Sequence, residues 1–396
     1  MKILLAAASS SAQLSGVQRH AFNVARCLLT RSEVSHVHLV VAPWQRELVR
    51  NSGLEPNSRL SVHAPQMEPS SISRNRWYYA QLPKMAAQVG ADVVHLAYPM
   101  PVNASAFTCP TVVTLHDLYP YEIPSNFGFP KSIFNRFILR QCLRNVNCIA
   151  CVSEITRLRL SSYVPQRLLP KALRIYNCVE AESQTSTRSP IPDSKGEPFL
   201  LCVAQHRKNK NILFLLRIFK NLIRRGQIDT AMRLVIIGIP GPETHRIRRA
   251  IIRSALSRNV VLMEGLSEPD LQWCYKNCAA VLAPSKVEGF GLPVAEALLV
   301  GCRIVCSDIS AFRELGGRYC HYVSLNSRAE DAFAKAIVAA LQEQPVKPVS
   351  LPQLSVSVIA EQYVRLYGKL LASTDIARNL VLSSSAKRAV TERQSL

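Results

Sequence analysis

One stretch limits what this chain can fold into: Pro284-Ser285-Lys286-Val287-Glu288-Gly289-Phe290-Gly291-Leu292-Pro293-Val294-Ala295-Glu296-Ala297. Two carboxylates bracket seven residues, and two glycines and a proline lie between them. Gly-Phe-Gly is a poor helix, because each glycine loses backbone entropy that alanine would not. Pro293 suits the first helical position, where its missing N–H is not needed and its φ is preset. Val294 to Val300 are good helix formers, and Gly301 is placed to end that helix in left-handed geometry. Upstream, Cys278 to Ala283 is a short apolar run of buried-strand type. The unit reads strand, glycine loop, helix.

Such a unit has chemical uses. A helix N-terminus offers unpaired N–H groups and a partial positive charge to a phosphate. Glu288 in the loop and Glu296 one turn into the helix can face one cleft and accept hydrogen bonds from sugar or ribose hydroxyls. Spacing alone leaves equally open a buried loop followed by a helix-surface glutamate.

The residues themselves carry a resemblance. Glu288 to Glu296 is similar to the E-x7-E motif of the large retaining glycosyltransferase family 4. The flanks P-S-x-x-E-G-F-G-L-P-x-x-E-A, Gly301 to Asp308, and Arg313-Glu314-Leu315-Gly316-Gly317 resemble it too. The resemblance implies the GT-B fold: an α/β chain of two doubly wound, Rossmann-like domains facing a cleft, with a C-terminal helix crossing back to the first domain.

Chain order fits that plan. Ile3–Ala8 reads as a buried strand; as a secretory signal its apolar part is too short. A polar loop from Ser9 to Gly16 leads into a helix, with Ser15 and Gln18 as a capping box. The family shows two glycines here, whereas this loop has Gly16 after Ser15. Further strands fall at Val37–Ala42, Asp92–Leu96 and Thr111–Leu115, and a helix near Ser71 to Gln88 carries Trp77, Tyr78 and Tyr79. Those aromatics, beside Arg74 and Arg76, suit either a membrane interface or an inward-packing face. His116-Asp117 follows a strand directly, where doubly wound folds keep their sites, and Val-Thr-Leu-His-Asp-Leu-Tyr-Pro resembles the family's V-x-x-H-D-x-x-P. Lys131 to Asn145 reads as a helix with Arg136, Arg140 and Arg144 on one face and Phe134, Ile138 and Cys142 as an apolar stripe. Cys148-Ile-Ala-Cys151 has metal-type spacing without a second pair, and lies on a strand where residues three apart face opposite ways. Asn177-Cys178-Val179-Glu180 stands where the family has N-G-V-D. After strand Phe199–Ala204 comes Gln205-His206-Arg207-Lys208-Asn209-Lys210-Asn211, which resembles the family's basic turn ending in K-N. The expected boundaries are 1–180 for the acceptor domain, 181–198 for a linker and 199–352 for the nucleotide-sugar domain. A crossover helix at 353–373 and a flexible tail at 374–396 complete the plan.

Charge enters here. Forty-eight basic against 27 acidic residues give +21, which calls for an anionic partner or surface. No helix–turn–helix, zinc-finger or aromatic-rich RNA pattern is present, so no nucleic acid is expected. An anionic membrane surface and a pyrophosphate substrate remain. No apolar run approaches the ~20 residues needed to span a bilayer. The expected location is cytoplasmic, with peripheral attachment to the inner face of the cell membrane left open.

By the resemblance, the donor is a nucleotide-diphosphate sugar, with mannose from GDP-mannose as the first guess. The acceptor is a glycan or a polyprenyl-diphosphate-linked chain of bacterial polysaccharide or lipopolysaccharide. Glu296 would hold the ribose. Glu288 and the backbone from Gly289 through Phe290 and Gly291 to Leu292 would contact the donor, and His116 would face its sugar. Asp117 and Gly16 would shape the other wall. Lys210, with Arg207, would neutralise the departing diphosphate, a role that can replace a metal; neither metal nor cofactor is expected. Two rivals remain: a glycosidase, which needs paired carboxylates without phosphate clamps, and a non-catalytic basic protein on the same fold that binds membrane or nucleic acid.

Overall fold

A computed structural model describes residues 1–54, 57–180, 185–344 and 346–373. Short apolar runs alternate with amphipathic helices, the pattern that builds parallel sheets through crossover connections. The first sheet holds β1 (Lys2–Ala6), β2 (His36–Val40), β3 (Leu60–His63), β4 (Val93–Leu96), β5 (Thr111–Leu115), β6 (Cys148–Cys151) and β7 (Ala172–Arg174). Its order is β3-β2-β1-β4-β5-β6-β7, every pair parallel. The second holds β8 (Phe199–Val203), β9 (Arg233–Ile237), β10 (Val260–Met263), β11 (Ala280–Ala283), β12 (Ile304–Ser307) and β13 (His321–Val323), in the order β10-β9-β8-β11-β12-β13 and again parallel.

In each sheet the strand order reverses at one place: between β1 and β4, and between β8 and β11. Ligands of doubly wound folds bind at the carboxyl ends of the strands beside that reversal. The loops leaving β8 and β11 carry Lys210 and Glu288 respectively. Topology alone therefore brings the basic turn and the acidic glycine loop together.

Three apolar clusters hold the layers. One lies on the outer face of the first sheet and joins Leu4, Val94 and Leu115 to Trp77, Tyr78, Leu139 and Leu143. A second covers the outer face of the second sheet around Leu215, Phe219 and Phe333. The third runs through both domains, from Ile3 and Leu28 to Phe199, Val281 and Val294, and takes in Tyr363 and Tyr367 of the helix over residues 356–373. That helix docks on the first domain, where the Tyr367 hydroxyl lies 2.7 Å from His95 Nδ1.

Several local expectations change. The helix near 71–88 is two helices, Ser71–Ala80 and Leu82–Val89, meeting at Gln81. Trp77 and Tyr78 are buried and Tyr79 is exposed, so two of the three aromatics face inward. On the Lys131–Asn145 helix, Arg136 turns in, its Nε donating to Pro120 O at 2.7 Å, while Phe134 is exposed. The helix buries Leu139, Cys142 and Leu143 and leaves its N-terminal half outside the core. Cys148 and Cys151 pack in the clusters on opposite faces of their sheet, and both are free thiols. Residues 181–184 of the expected linker and the expected tail at 374–396 lie outside the described residues. Residues 185–198 lie along the second domain, with Ser186 N donating to Pro269 O at 3.2 Å.

Candidate active site at the domain interface

The glycine loop is built as its residues dictate. After β11 the chain runs through Glu288 to Gly291 and enters the helix Leu292–Val300. Gly291 caps it with φ of +102°, and Gly301 ends it at +85°, both left-handed. The helix begins one residue earlier than expected, so Pro293 is its second residue, still within the first turn where no donor is lost. Gly289 is where the two domains touch: a Cβ there would lie 1.7 Å from His116 O. No side chain fits that gap. The Gly289 carbonyl accepts from the hydroxyls of Ser153 and Thr156 in the first domain. The amides of Gly289 through Leu292 make no hydrogen bond among the described residues, so this helix entrance keeps free donors. The Phe290 ring itself is buried against Tyr176, with ring centroids 6.0 Å apart.

Lys210 and Glu288 form the centre. Lys210 Nζ lies 2.6 Å from Glu288 Oε1, and the pair is largely buried, with side chains 16% and 7% exposed. Tyr119 OH donates to Glu288 Oε2 at 2.9 Å from the first domain. Asn126 Nδ2 donates to Asn209 Oδ1 at 3.0 Å, a second bridge between the domains on the same side. Arg207 makes no side-chain ion pair among the described residues, and its charge acts on Asp117 and Tyr119. Asp117 accepts from Tyr119 N at 3.0 Å. Desolvation raises its carboxyl to about 6, against the pull of that hydrogen bond and of Arg207.

His116 donates its Nε2–H to Ala97 O at 2.8 Å, which fixes the tautomer and leaves Nδ1 as an acceptor. Desolvation lowers it to about 4, so it is neutral at physiological pH. It stands edge-on to His20 at 4.7 Å between ring centroids. Below it, Thr114 Oγ1 lies 3.1 Å from His20 Nε2 and 2.8 Å from His95 Nε2. Burial lowers His95 to about 3 and His20 well below its ordinary value. His116 thus rests on a shelf of neutral histidines.

Glu296 is buried in the same interface, yet its neighbours differ from those of Glu288. Tyr275 OH donates to Oε2 at 2.6 Å, and Arg19 of the first domain donates to Oε1 at 3.0 Å. Arg19 also pairs with Glu268 at 2.6 Å. Ser15 and Gln18 start the helix that carries Arg19 with the expected capping box. Gln18 and Gln45 both hydrogen-bond Ser9 Oγ and Ser11 O, which holds the loop that carries a single glycine. Gly16 opens the helix facing Leu292, whose Cδ1 would lie 3.8 Å from an added Cβ.

The expected residues therefore gather in two groups. Lys210, Glu288, Gly289, His116, Asp117 and Arg207 gather at one part of the domain interface. Glu296, Gly16, Leu292 and the missed Arg19 gather at another. Sequence reasoning also missed Tyr119, although it stands two residues after Asp117 in a segment that resembles the family. It missed Glu314 as well, whose carboxylate accepts from the amides of Glu154 and Ile155 at 2.7 and 3.0 Å and caps a helix of the opposite domain.

Comparison with known proteins identifies the family and the fold. Residues 14–183 match the family described as Glycosyltransferase Family 4, and residues 183–350 match Glycosyl transferases group 1. The chain belongs to glycosyltransferase family 4. One relative of this glycosyltransferase is the O-antigen chain mannosyltransferase B of Escherichia coli, 22% identical over 373 residues, spanning 88% of this chain and 93% of the relative. Among solved structures, sucrose-phosphate synthase of Thermosynechococcus elongatus superposes with a TM-score of 0.68 at 16% identity, covering 94% of this chain and all of the other. Anabaena HepE in complex with UDP and glucose gives 0.62 at 15% identity, over 97% and 100%. These likenesses establish the GT-B fold for the family 4 glycosyltransferase.

Proposed function

We propose that this glycosyltransferase moves mannose from GDP-mannose to a hydroxyl of a glycan or lipid-linked acceptor, with retention of configuration, in bacterial polysaccharide or lipopolysaccharide assembly. The observation that carries the reading is the Lys210–Glu288 pair at the reversal point of the second sheet, faced by His116 and Tyr119 of the first. The likeness to O-antigen mannosyltransferase B supports the choice of sugar.

In this reading the diphosphate lies against Lys210, Arg207 and the free amides of Gly289 to Leu292, where fixed positive charge stabilises the leaving group. Glu288 meets hydroxyls of the donor sugar. Glu296 takes the ribose hydroxyls, for which Arg19 has to yield Oε1. His116, neutral, turns Nδ1 toward the sugar as an acceptor, and Asp117 closes that wall. The acceptor hydroxyl attacks the anomeric carbon from the face that the diphosphate leaves, and its proton passes to a departing phosphate oxygen. A lipid-linked acceptor sets the work at the inner face of the cell membrane. No described helix is long and apolar enough to cross one.

The test is thermal stabilisation by a panel of nucleotides and nucleotide sugars, on wild type and Glu296→Ala. A ligand that binds only the folded state raises the melting point by mass action. A shift with guanine nucleotides that the variant loses is expected. A shift with uridine nucleotides alone would replace the donor, and no shift at all would overturn the transferase reading.

A further inference from the structure

The Lys131–Asn145 helix presents an unusual outer face. Phe129, Ile133, Phe134 and Phe137 are 85%, 57%, 49% and 67% exposed. Ile133, Phe137, Arg140 and Arg144 follow one another at helical spacing of four, three and four, so they form a single stripe, apolar at its N-terminal end and basic at its C-terminal end. Lone exposed apolar residues are ordinary. Four within one short segment form a patch that asks for a cover.

Charge says what covers it. Residues 123–153 contain no Asp or Glu, although Lys131, Arg136, Arg140 and Arg144 fall there. Residues 69–91 contain none either, while holding Arg74, Arg76 and Lys84. A merely solvated face mixes both signs. The Ser71–Ala80 helix carries its own exposed stripe, Ile72, Arg76 and Tyr79. Both helices pack on the same face of the first sheet through Trp77, Tyr78, Leu139 and Leu143, so their outer faces look the same way. The patch also borders the active site, because Phe129 lies three residues, at most about 10 Å of chain, beyond Asn126 at the domain interface.

We propose that Phe129, Ile133, Phe134 and Phe137, with Arg140 and Arg144, seat the first domain on an anionic phospholipid bilayer and hold the cleft at headgroup level. The apolar end enters the boundary between headgroups and acyl chains, and the arginines stay among the phosphates. An acceptor whose lipid end remains in the membrane then reaches the cleft directly; this last step rests on the transferase reading, and the seating does not.

The test is co-sedimentation of the full chain with vesicles of phosphatidylcholine, with and without phosphatidylglycerol. Wild type should partition onto the anionic vesicles and far less onto the neutral ones. Arg140→Gln with Arg144→Gln should weaken anionic binding about 25-fold, at about fivefold per cation. Phe129→Ser with Phe137→Ser should weaken it at least about tenfold. Both double variants change exposed side chains, and their thermal stabilisation by nucleotide should match wild type. Failure of that shift in all three proteins would count against the transferase reading and leave the vesicle result standing. Wild type remaining in the supernatant, or variants that bind like wild type, would overturn the proposal. So would a phenylalanine variant that loses self-association in lipid-free buffer while keeping vesicle binding, since the face would then join copies of the chain.

Discussion

Lys210 Nζ lies 2.6 Å from Glu288 Oε1 in a largely buried pair. Each charge is thereby satisfied without a ligand. On the reading proposed above, a diphosphate that takes the ammonium would release the carboxylate to sugar hydroxyls, and the pair would couple recognition of the two halves of the donor.

Lys210→Ala should lower turnover by about 10²–10³-fold, the usual cost of losing a preorganised charge against a leaving group. The unpaired Glu288 left behind should cost about 3 kcal/mol of stability. Glu288→Gln keeps the shape and should cost less stability while still slowing transfer. Initial rates and chemical denaturation check both, and a Lys210→Ala enzyme within threefold of wild type would sink the assignment.

Gly289→Ala puts a methyl group where the His116 carbonyl already lies, 1.7 Å away. Neither partner is a flexible side chain, so the domains should part. Small-angle scattering should show a larger radius of gyration, and transfer should fall below a hundredth of wild type. An unchanged radius would mean that the loop re-forms without the contact.

Arg19→Gln removes the cation that holds Glu296 Oε1 and Glu268. If Glu296 receives the ribose, that ion pair competes with the donor, and the variant should bind nucleotide about 3–10-fold more tightly, equivalent to about 1 kcal/mol. Calorimetric titration reads this directly, and weaker binding would show Arg19 to be a donor contact instead.

Stability should carry two opposed pH dependences. His116 and His95 sit at about 4 and 3 in the folded chain, below their ordinary 6.5, so the stability they confer is full above pH 6.5 and lost as pH falls toward those values. Asp117 is raised from 3.8 to about 6, so its contribution is full below pH 3.8 and lost as pH rises through 6. The histidines outnumber it, and wild type should weaken on acidification below 6.5. Asp117→Asn should weaken more steeply between pH 6 and 4, by about 1–2 kcal/mol relative to wild type after allowing for its partial exposure. Parallel denaturation curves across that range would refute the raised carboxyl.

Much of the site was legible because it is written locally. The cap at Ser15, the helix end at Gly301 and the loop between Glu288 and Glu296 each depend on residues close in sequence. Arg19, Tyr119 and Glu314 were not legible, since each acts on a group in the other domain and nothing near it in sequence names that partner. Phe134 shows a different limit. Helical periodicity identified a stripe, but which stripe a helix buries depends on how much of it reaches the sheet, and this one packs only its C-terminal half. Strands β3, β7 and β13 went unread because they are short and only partly buried, without the apolar run that marks strands such as β1 and β5.

The helix that closes the first domain leaves the ribosome long after the strands it covers. Tyr367 bonds His95, and Tyr363 packs beside it, so the layer beneath His116 is incomplete until the chain has grown 187 residues past Glu180. At ~5–20 residues per second that interval is about 10–40 s. Through it the histidines of the nascent first domain lack their tyrosine cover. By the seating proposed above, the outer face of that domain is complete before the enzyme is, and attachment to a bilayer can precede the closing of the site.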